Sequence, residues 1–224
     1  MSPRGGSSQG RGAISPSASQ RERRGHGPAT PKGRERRNEI LRAARRVFEE
    51  RGFLETRVAD IVAAADVAQG TFYTYFDSKE SVFAEVAQQV IDAMMDDLHV
   101  EYVQDMEPVE RIRRAMVRFV DAYRPNAVMI GLIEQVGTFT PEMRRLRLVL
   151  RESFVERTAR GIRRMQAEGI ADSTADSVML AEVLGAMVDQ ICYLWFFLGK
   201  DFDADEVVQA LTTVWARGIG VATG

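Results

Sequence analysis

The 224-residue sequence predicts an all-α protein of about nine helices. Three observations carry that expectation. Apolar residues recur at three- and four-residue spacing along most of the chain, the stripe of an amphipathic helix. Ala, Leu, Glu, Arg, Val and Met dominate, with only five Tyr, two Trp and seven Pro, a balance that favours helix over sheet. Helix start and stop signals bracket the periodic stretches, and neither a strand-like alternation nor an internal repeat interrupts them.

Residues 1–30 are Gly, Ser, Pro and Arg without periodicity and read as a disordered basic tail, either a solubilising leader or an arm along DNA phosphates. The first helix runs from about Pro31 to Arg51, with Thr30 as cap, Pro31 at the first position and Gly52 as stop. Ile40, Leu41, Ala44, Val47 and Phe48 form its apolar stripe, onto which Phe53 folds back. A short helix follows over about Arg57 to Ala64, capped by Thr56. Asp66-Val67 is a tight turn, and Gln69 to Phe76 is a second short helix. Asp77 and Glu80, at capping-box spacing, open a longer helix that continues through Leu98.

Further helices are expected over Pro108–Tyr123, Asn126–Val136 and, after the Thr140 cap, from Pro141 to near Gly169. Two more cover about 174–198, closed by Gly199, and 204–217, capped by Asp203 and stopped by Gly218. The eight Arg residues between positions 144 and 164 read as a solvated face paired with Glu142, Glu152, Glu156 and Glu168.

Composition excludes several classes. Cys192 is the only cysteine, so neither an intramolecular disulfide nor a cysteine-based zinc site is possible. His26 and His99 are isolated, no metal is expected, and no P-loop, nucleophile elbow or dinucleotide fingerprint marks an enzyme or its cofactor. The longest apolar run, Ile191–Leu198, is far short of the ~20 residues of a spanning helix, so a cytoplasmic protein is expected. Charge is asymmetric: residues 1–37 hold nine Lys/Arg against Glu22 and Glu35, a net +7, which leaves −9 on the remainder of a chain totalling −2. A basic end on an acidic body points to an anionic partner at that end.

Two short helices joined by a tight turn and braced by a preceding helix have helix-turn-helix geometry. Phe72 and Phe76, four residues apart, anchor the second short helix, while Gln69, Thr71, Tyr73, Thr74 and Tyr75 face away. Gln reads adenine bidentately, the Thr methyl suits thymine, and Tyr hydroxyls donate to phosphate oxygens. Gly70 permits close backbone approach to DNA, and Lys79 lies near a helix N-terminus, where a phosphate is favoured.

The order of residues sharpens this. Gly52-Phe53, Thr56, Val58, Asp60-Ile61, Ala65, Val67, Gly70-Thr71-Phe72-Tyr73, Tyr75-Phe76, Ser78-Lys79-Glu80 and Val82-Phe83 resemble the N-terminal domain of the tetracycline-repressor (TetR) family over about residues 34–90. The resemblance implies DNA contacts at Gln69, Gly70, Thr71, Tyr73, Thr74 and Tyr75, and phosphate contacts at Thr56, Arg57 and Lys79. It departs from the family at Ala68, where Ser often caps the recognition helix, at Asp66 in place of the turn Gly, and at Arg57 in place of a second Thr.

It further implies a basic tail (1–30), a helix-turn-helix domain (31–80) with a linking helix (78–98), and a larger effector-binding and dimerisation domain (81–224). The implied partners are a near-palindromic double-stranded operator, a small-molecule effector, and a second copy of the chain held through 174–198 and 204–217. Leu180, Leu184, Met187, Ile191, Leu194 and Leu198 recur at a spacing that serves one face inside and another outside the protomer, and Val207, Val208, Leu211, Val214 and Trp215 supply the partner surface. Candidate effector-pocket residues are Phe119, Tyr123, Met129, Ile133, Phe154, Met187 and Tyr193, a Met- and aromatic-rich set suited to apolar ligands. Glu134, Gln135, Asp189 and Gln190 are the polar groups to orient one. The expected function is a cytoplasmic, nucleoid-associated repressor released from its operator by a small apolar effector; an activator or a ligand-independent DNA binder is the alternative.

Overall fold

A computed structural model describes residues 30–98 and 106–221. The expectations for the N-terminal tail and for His99 lie outside the described residues. Among those described there are nine α-helices and no strand: α1 (Pro31–Glu55), α2 (Val58–Ala64), α3 (Gln69–Tyr75), α4 (Lys79–Asp97), α5 (Pro108–Tyr123), α6 (Ala127–Val136), α7 (Pro141–Ala167), α8 (Ser177–Cys192) and α9 (Ala204–Gly218).

Local chemistry explains the boundaries. Thr30 accepts from the Gly33 N–H at 3.1 Å, Thr140 from Met143 at 3.2 Å, and Asp203 from Glu206 at 3.0 Å. Each satisfies a helix-end donor that would otherwise be orphaned. Gly52 breaks α1 with φ 76° and ψ 169°, a conformation that strongly favours glycine. The turn then brings Phe53 back onto Phe48 and Phe83, with ring centroids 5.9 and 4.9 Å apart.

Three boundaries differ from expectation. Thr56 does not cap α2; it is 1% exposed and donates its hydroxyl to the Gly52 carbonyl at 2.6 Å, while Arg57 occupies the cap position. Asp77 and Glu80 do not form a capping box. Ser78 caps α4 and reciprocates with Ser81, whose short side chain reaches back where Glu80, one residue earlier, does not. The helix expected to reach Leu198 ends as α at Cys192 and widens into a π turn over Tyr193–Phe197. Phe197 there crosses α6 where Gly131 has no side chain; a Cβ at that position would lie 2.1 Å from the ring.

A continuous core runs from the N-terminal helices into the body. Ile40, Phe48, Ile61, Phe72, Phe83 and Met94 belong to the same buried cluster as Tyr123, Met129, Ile133 and Cys192. Arg45 ties α1 to the turn before α6 by donating to Asn126 Oδ1 at 3.0 Å. A second cluster joins α5, α7, α8 and α9 through Ile112, Val155, Ile162, Leu184 and Leu211. Ser177–Phe197 is long and apolar enough to cross a membrane, the one such helical segment among the described residues. It packs along α7, to which the Arg151–Glu182 pair ties it.

Candidate functional site

The first candidate surface is α3. Phe72 is fully buried and Phe76, just past the helix, is 3% exposed, so this edge is held from behind by apolar packing. Ile61 of α2 is buried in the same cluster, and Asp66 makes the turn between the two helices with φ 51°. Asp adopts that left-handed conformation more readily than most residues, so the missing turn glycine is tolerated. Ala68 caps α3 with no side-chain hydrogen bond, as its methyl dictates.

The outward face carries Gln69, Gly70, Tyr73 and Thr74, all exposed, with Thr71 half-buried beside them. Tyr73 is 48% exposed and meets Phe72 edge to face. A Cβ at Gly70 would meet nothing within 4 Å, so packing inside the protein does not call for glycine there. Thr74 donates its hydroxyl to the Gly70 carbonyl at 3.0 Å. Tyr75 departs from expectation: its ring packs half-buried against the core.

The three candidate phosphate contacts differ among themselves. Arg57 is exposed; its backbone N–H donates to Asp60 Oδ2 at 2.9 Å, and Arg51 holds Asp60 from the other side at 2.7 Å. The Thr56 hydroxyl is buried and already spent on Gly52. Lys79 does not project outward: its ammonium donates to the Phe53 carbonyl at 2.7 Å and lies 4.4 Å above the Phe53 ring. That lysine is a strut between α1 and α4, because the carbonyls freed by the break at Gly52 face it. Lys32 and Arg34 stand exposed at the start of α1.

The second candidate site is a cavity of about 690 Å³ enclosed by α4 to α8 and reaching Trp215 of α9. Ile91 and Met94 of α4, with Leu98 just past its end, form one wall. Of the expected lining residues, Phe119, Tyr123, Ile133 and Phe154 are brought together, with Glu134 and Asp189 as polar groups. Met129, Met187 and Tyr193 are not. Met129 is fully buried in the core and lines no part of the cavity. Met187 packs within the α8–α9 cluster, and Tyr193 stacks on Phe197 at 5.0 Å in the π turn. Gln135 and Gln190 are exposed and line no part of it.

Sequence reasoning missed the arginines. Arg145 and Arg160 do pair along α7 with Glu142 and Glu156. Arg147 and Arg151 instead turn into the cavity, paired with Glu134 of α6 at 2.8 Å and Glu182 of α8 at 3.0 Å. Their shared face with Leu150 and Phe154 was the signal available in the sequence. Tyr123 is 1% exposed, and its hydroxyl, buried at the cavity wall, has no hydrogen-bond partner. Burial pushes that phenol well above its ordinary range, with the Asp189 charge adding to the effect. Asp189 itself is pushed up to about 6, first by burial and then by Glu134.

Both halves of the chain resemble known proteins. Residues 40–86 match the model of bacterial regulatory proteins of the tetR family, and residues 112–220 that of the C-terminal domain of the transcriptional regulator EthR. The HTH-type transcriptional regulator EthR of Mycolicibacterium smegmatis is 29% identical over 202 residues, covering 88% of this chain and 91% of the relative. The HTH-type transcriptional repressor KstR2 of the same organism is 24% identical over 196 residues, covering 84% and 93%. Among solved structures, a TetR-family transcriptional regulator from Syntrophomonas wolfei superposes with a TM-score of 0.71 at 20% identity, over 84% of this chain and 97% of that one. The fatty acid degradation regulator FadR from Bacillus halodurans gives 0.66 at 17% identity, over 84% and 96%.

Proposed function

The chain belongs to the tetR family of bacterial regulatory proteins, transcription regulators that bind DNA, and from that premise we propose that it is a homodimeric repressor which a small, mainly apolar effector releases from its operator. The observation that carries this reading is α4. Near its start Val82 and Phe83 pack into the core that holds α3, and Lys79 grips the end of α1. Twelve residues on, about 18 Å along the helix, Ile91 lines the cavity, followed by Met94 and Leu98. One rigid element thus touches both sites. An effector that fits the cavity better in one orientation of α4 shifts the population towards it and changes the spacing of two recognition helices.

Dimerisation supports the reading through α8 and α9. Met179 and Val183 are 62% and 61% exposed and Val214 is 49% exposed, an outward apolar stripe on the two helices. Leu184 belongs to the inward face with Ala181, Val188 and Cys192, and Val207 and Leu211, expected on the partner surface, are buried as well. Two recognition helices held about 34 Å apart read successive major grooves of a near-palindrome. The work of such a protein is done in the cytoplasm, on chromosomal DNA.

Selection of bound fragments from a random DNA pool, followed by footprinting at the recovered promoters, tests the reading. A near-palindromic site overlapping the polymerase site is expected for a repressor. A site upstream of it makes the protein an activator, and failure to enrich any sequence refutes specific binding.

A further inference from the structure

The cavity is unevenly charged. Two arginine rows line its outer part: Arg111, Arg114 and Arg118 on α5, and Arg157, Arg160 and Arg164 on α7. On both helices the spacing is three residues and then four, which keeps each row on one face. Among the described residues, the acids that line the cavity are Glu134 and Asp189, which accompany Tyr123 at the other end. Arg114 and Tyr123 are nine residues apart, about 14 Å of helix, and the Phe119–Phe154 ring pair, with centroids 6.2 Å apart, lies between the two ends.

The carboxylates that meet Arg111, Arg114 and Arg160 do not line the cavity. Arg111 meets Glu168 at 3.1 Å, Arg114 meets Glu110 at 2.9 Å, and Arg160 meets Glu156 at only 3.7 Å. In the last pair the side chains are 62% and 75% exposed, so solvent screens it. Arg157 is half-buried and donates to a neutral group, the Leu98 carbonyl. Burial depresses its basicity, and the neighbouring Arg160 charge depresses it further.

We propose that the effector is an amphiphile whose multiply charged, phosphate-type head sits in the arginine rim while its apolar chain runs inward past Phe119 and Phe154. This rests on the effector reading above and sharpens it. Guanidinium forks match phosphate oxygens bidentately, which an uncharged head does not exploit and a cationic head is repelled by. Inward of the rim the wall is Ile91, Met94, Ile112, Met116 and Ile130, a lining for hydrocarbon.

Calorimetric titration of the full chain with decyl phosphate, decanol, decyltrimethylammonium and inorganic phosphate tests the proposal. Decyl phosphate binds at least about tenfold tighter than decanol, the ammonium binds weakest, and inorganic phosphate alone does not saturate. Arg157→Gln/Arg160→Gln abolishes the preference and leaves decanol binding unchanged. Arg114→Gln/Arg160→Gln, at two exposed positions, does the same without disturbing a half-buried group. Equal affinity for decanol and decyl phosphate, or inorganic phosphate binding as tightly as the amphiphile, overturns the assignment. The same titrations on the operator complex separate the two readings. Rim-dependent binding that leaves operator affinity unchanged defeats the effector reading alone. Release by decanol that ignores the rim substitutions upholds an effector and defeats the rim.

Discussion

At the scale of single residues, the cavity holds two groups whose environments cost stability. The Tyr123 hydroxyl is buried and unpartnered. A buried donor left unsatisfied costs on the order of 1–3 kcal/mol. Tyr123→Phe therefore leaves the empty protein as stable or more so, and a thermal melt that falls by several degrees shows a hidden partner. Asp189 is the second case. Its folded value, about 6, lies above the ordinary 3.8, so the folded state holds the proton more tightly than the unfolded chain. Its contribution is fully present below the unfolded value and is lost as pH rises through 6. Urea unfolding from about pH 4 to pH 7 should show wild type losing stability relative to Asp189→Asn over that window; parallel curves contradict the burial argument. Outside the cavity, Gly70 leaves open space where a Cβ would stand. Gly70→Ala is expected to keep or raise helix stability while weakening operator binding in a mobility-shift titration, as the proposed close approach of DNA to that position requires.

At the scale of elements, α3 is short, seven residues, and its cap position is Ala68 in extended conformation with no side-chain acceptor. Ala68→Ser restores the acceptor and should add about 1 kcal/mol, read as a higher melting temperature; an unchanged melt means the α3 N-terminus is satisfied otherwise. Elements with strong local signals were legible in the sequence. Thr30, Gly52, Thr140 and Asp203 act where caps and stops were expected, because those interactions are made within a few residues. What long-range packing decides was not legible. The inward Lys79 depends on carbonyls 25 and 26 residues away, at Leu54 and Phe53. The π turn over Tyr193–Phe197 depends on close approach to Gly131 of α6. The same holds in the cavity. Phe119, Tyr123, Ile133 and Phe154 were legible as large apolar groups, whereas the pairings of Arg147 and Arg151 with Glu134 and Glu182 required knowing which helices meet.

At the scale of the whole molecule, α3 and the cavity share one buried core through α4, and α8 and α9 carry an outward apolar stripe that the proposed dimer would cover. Val183→Glu places a charge on that stripe without touching the inward residues. It should yield a folded monomer by analytical ultracentrifugation, with operator affinity lost together with dimerisation; a dimer that persists moves the interface elsewhere. Everything in the account depends on the outward face of α3 reading base sequence. The most direct measurement is the affinity of the selected operator, and of a scrambled duplex, for wild type and for Gln69→Ala/Tyr73→Ala. The double variant is predicted to lose at least tenfold on the operator, since one bidentate base contact carries about 1–3 kcal/mol, with little change on the scrambled duplex and an unaltered melt. Undiminished operator affinity in a folded double variant would contradict the assignment of α3 as the reading helix.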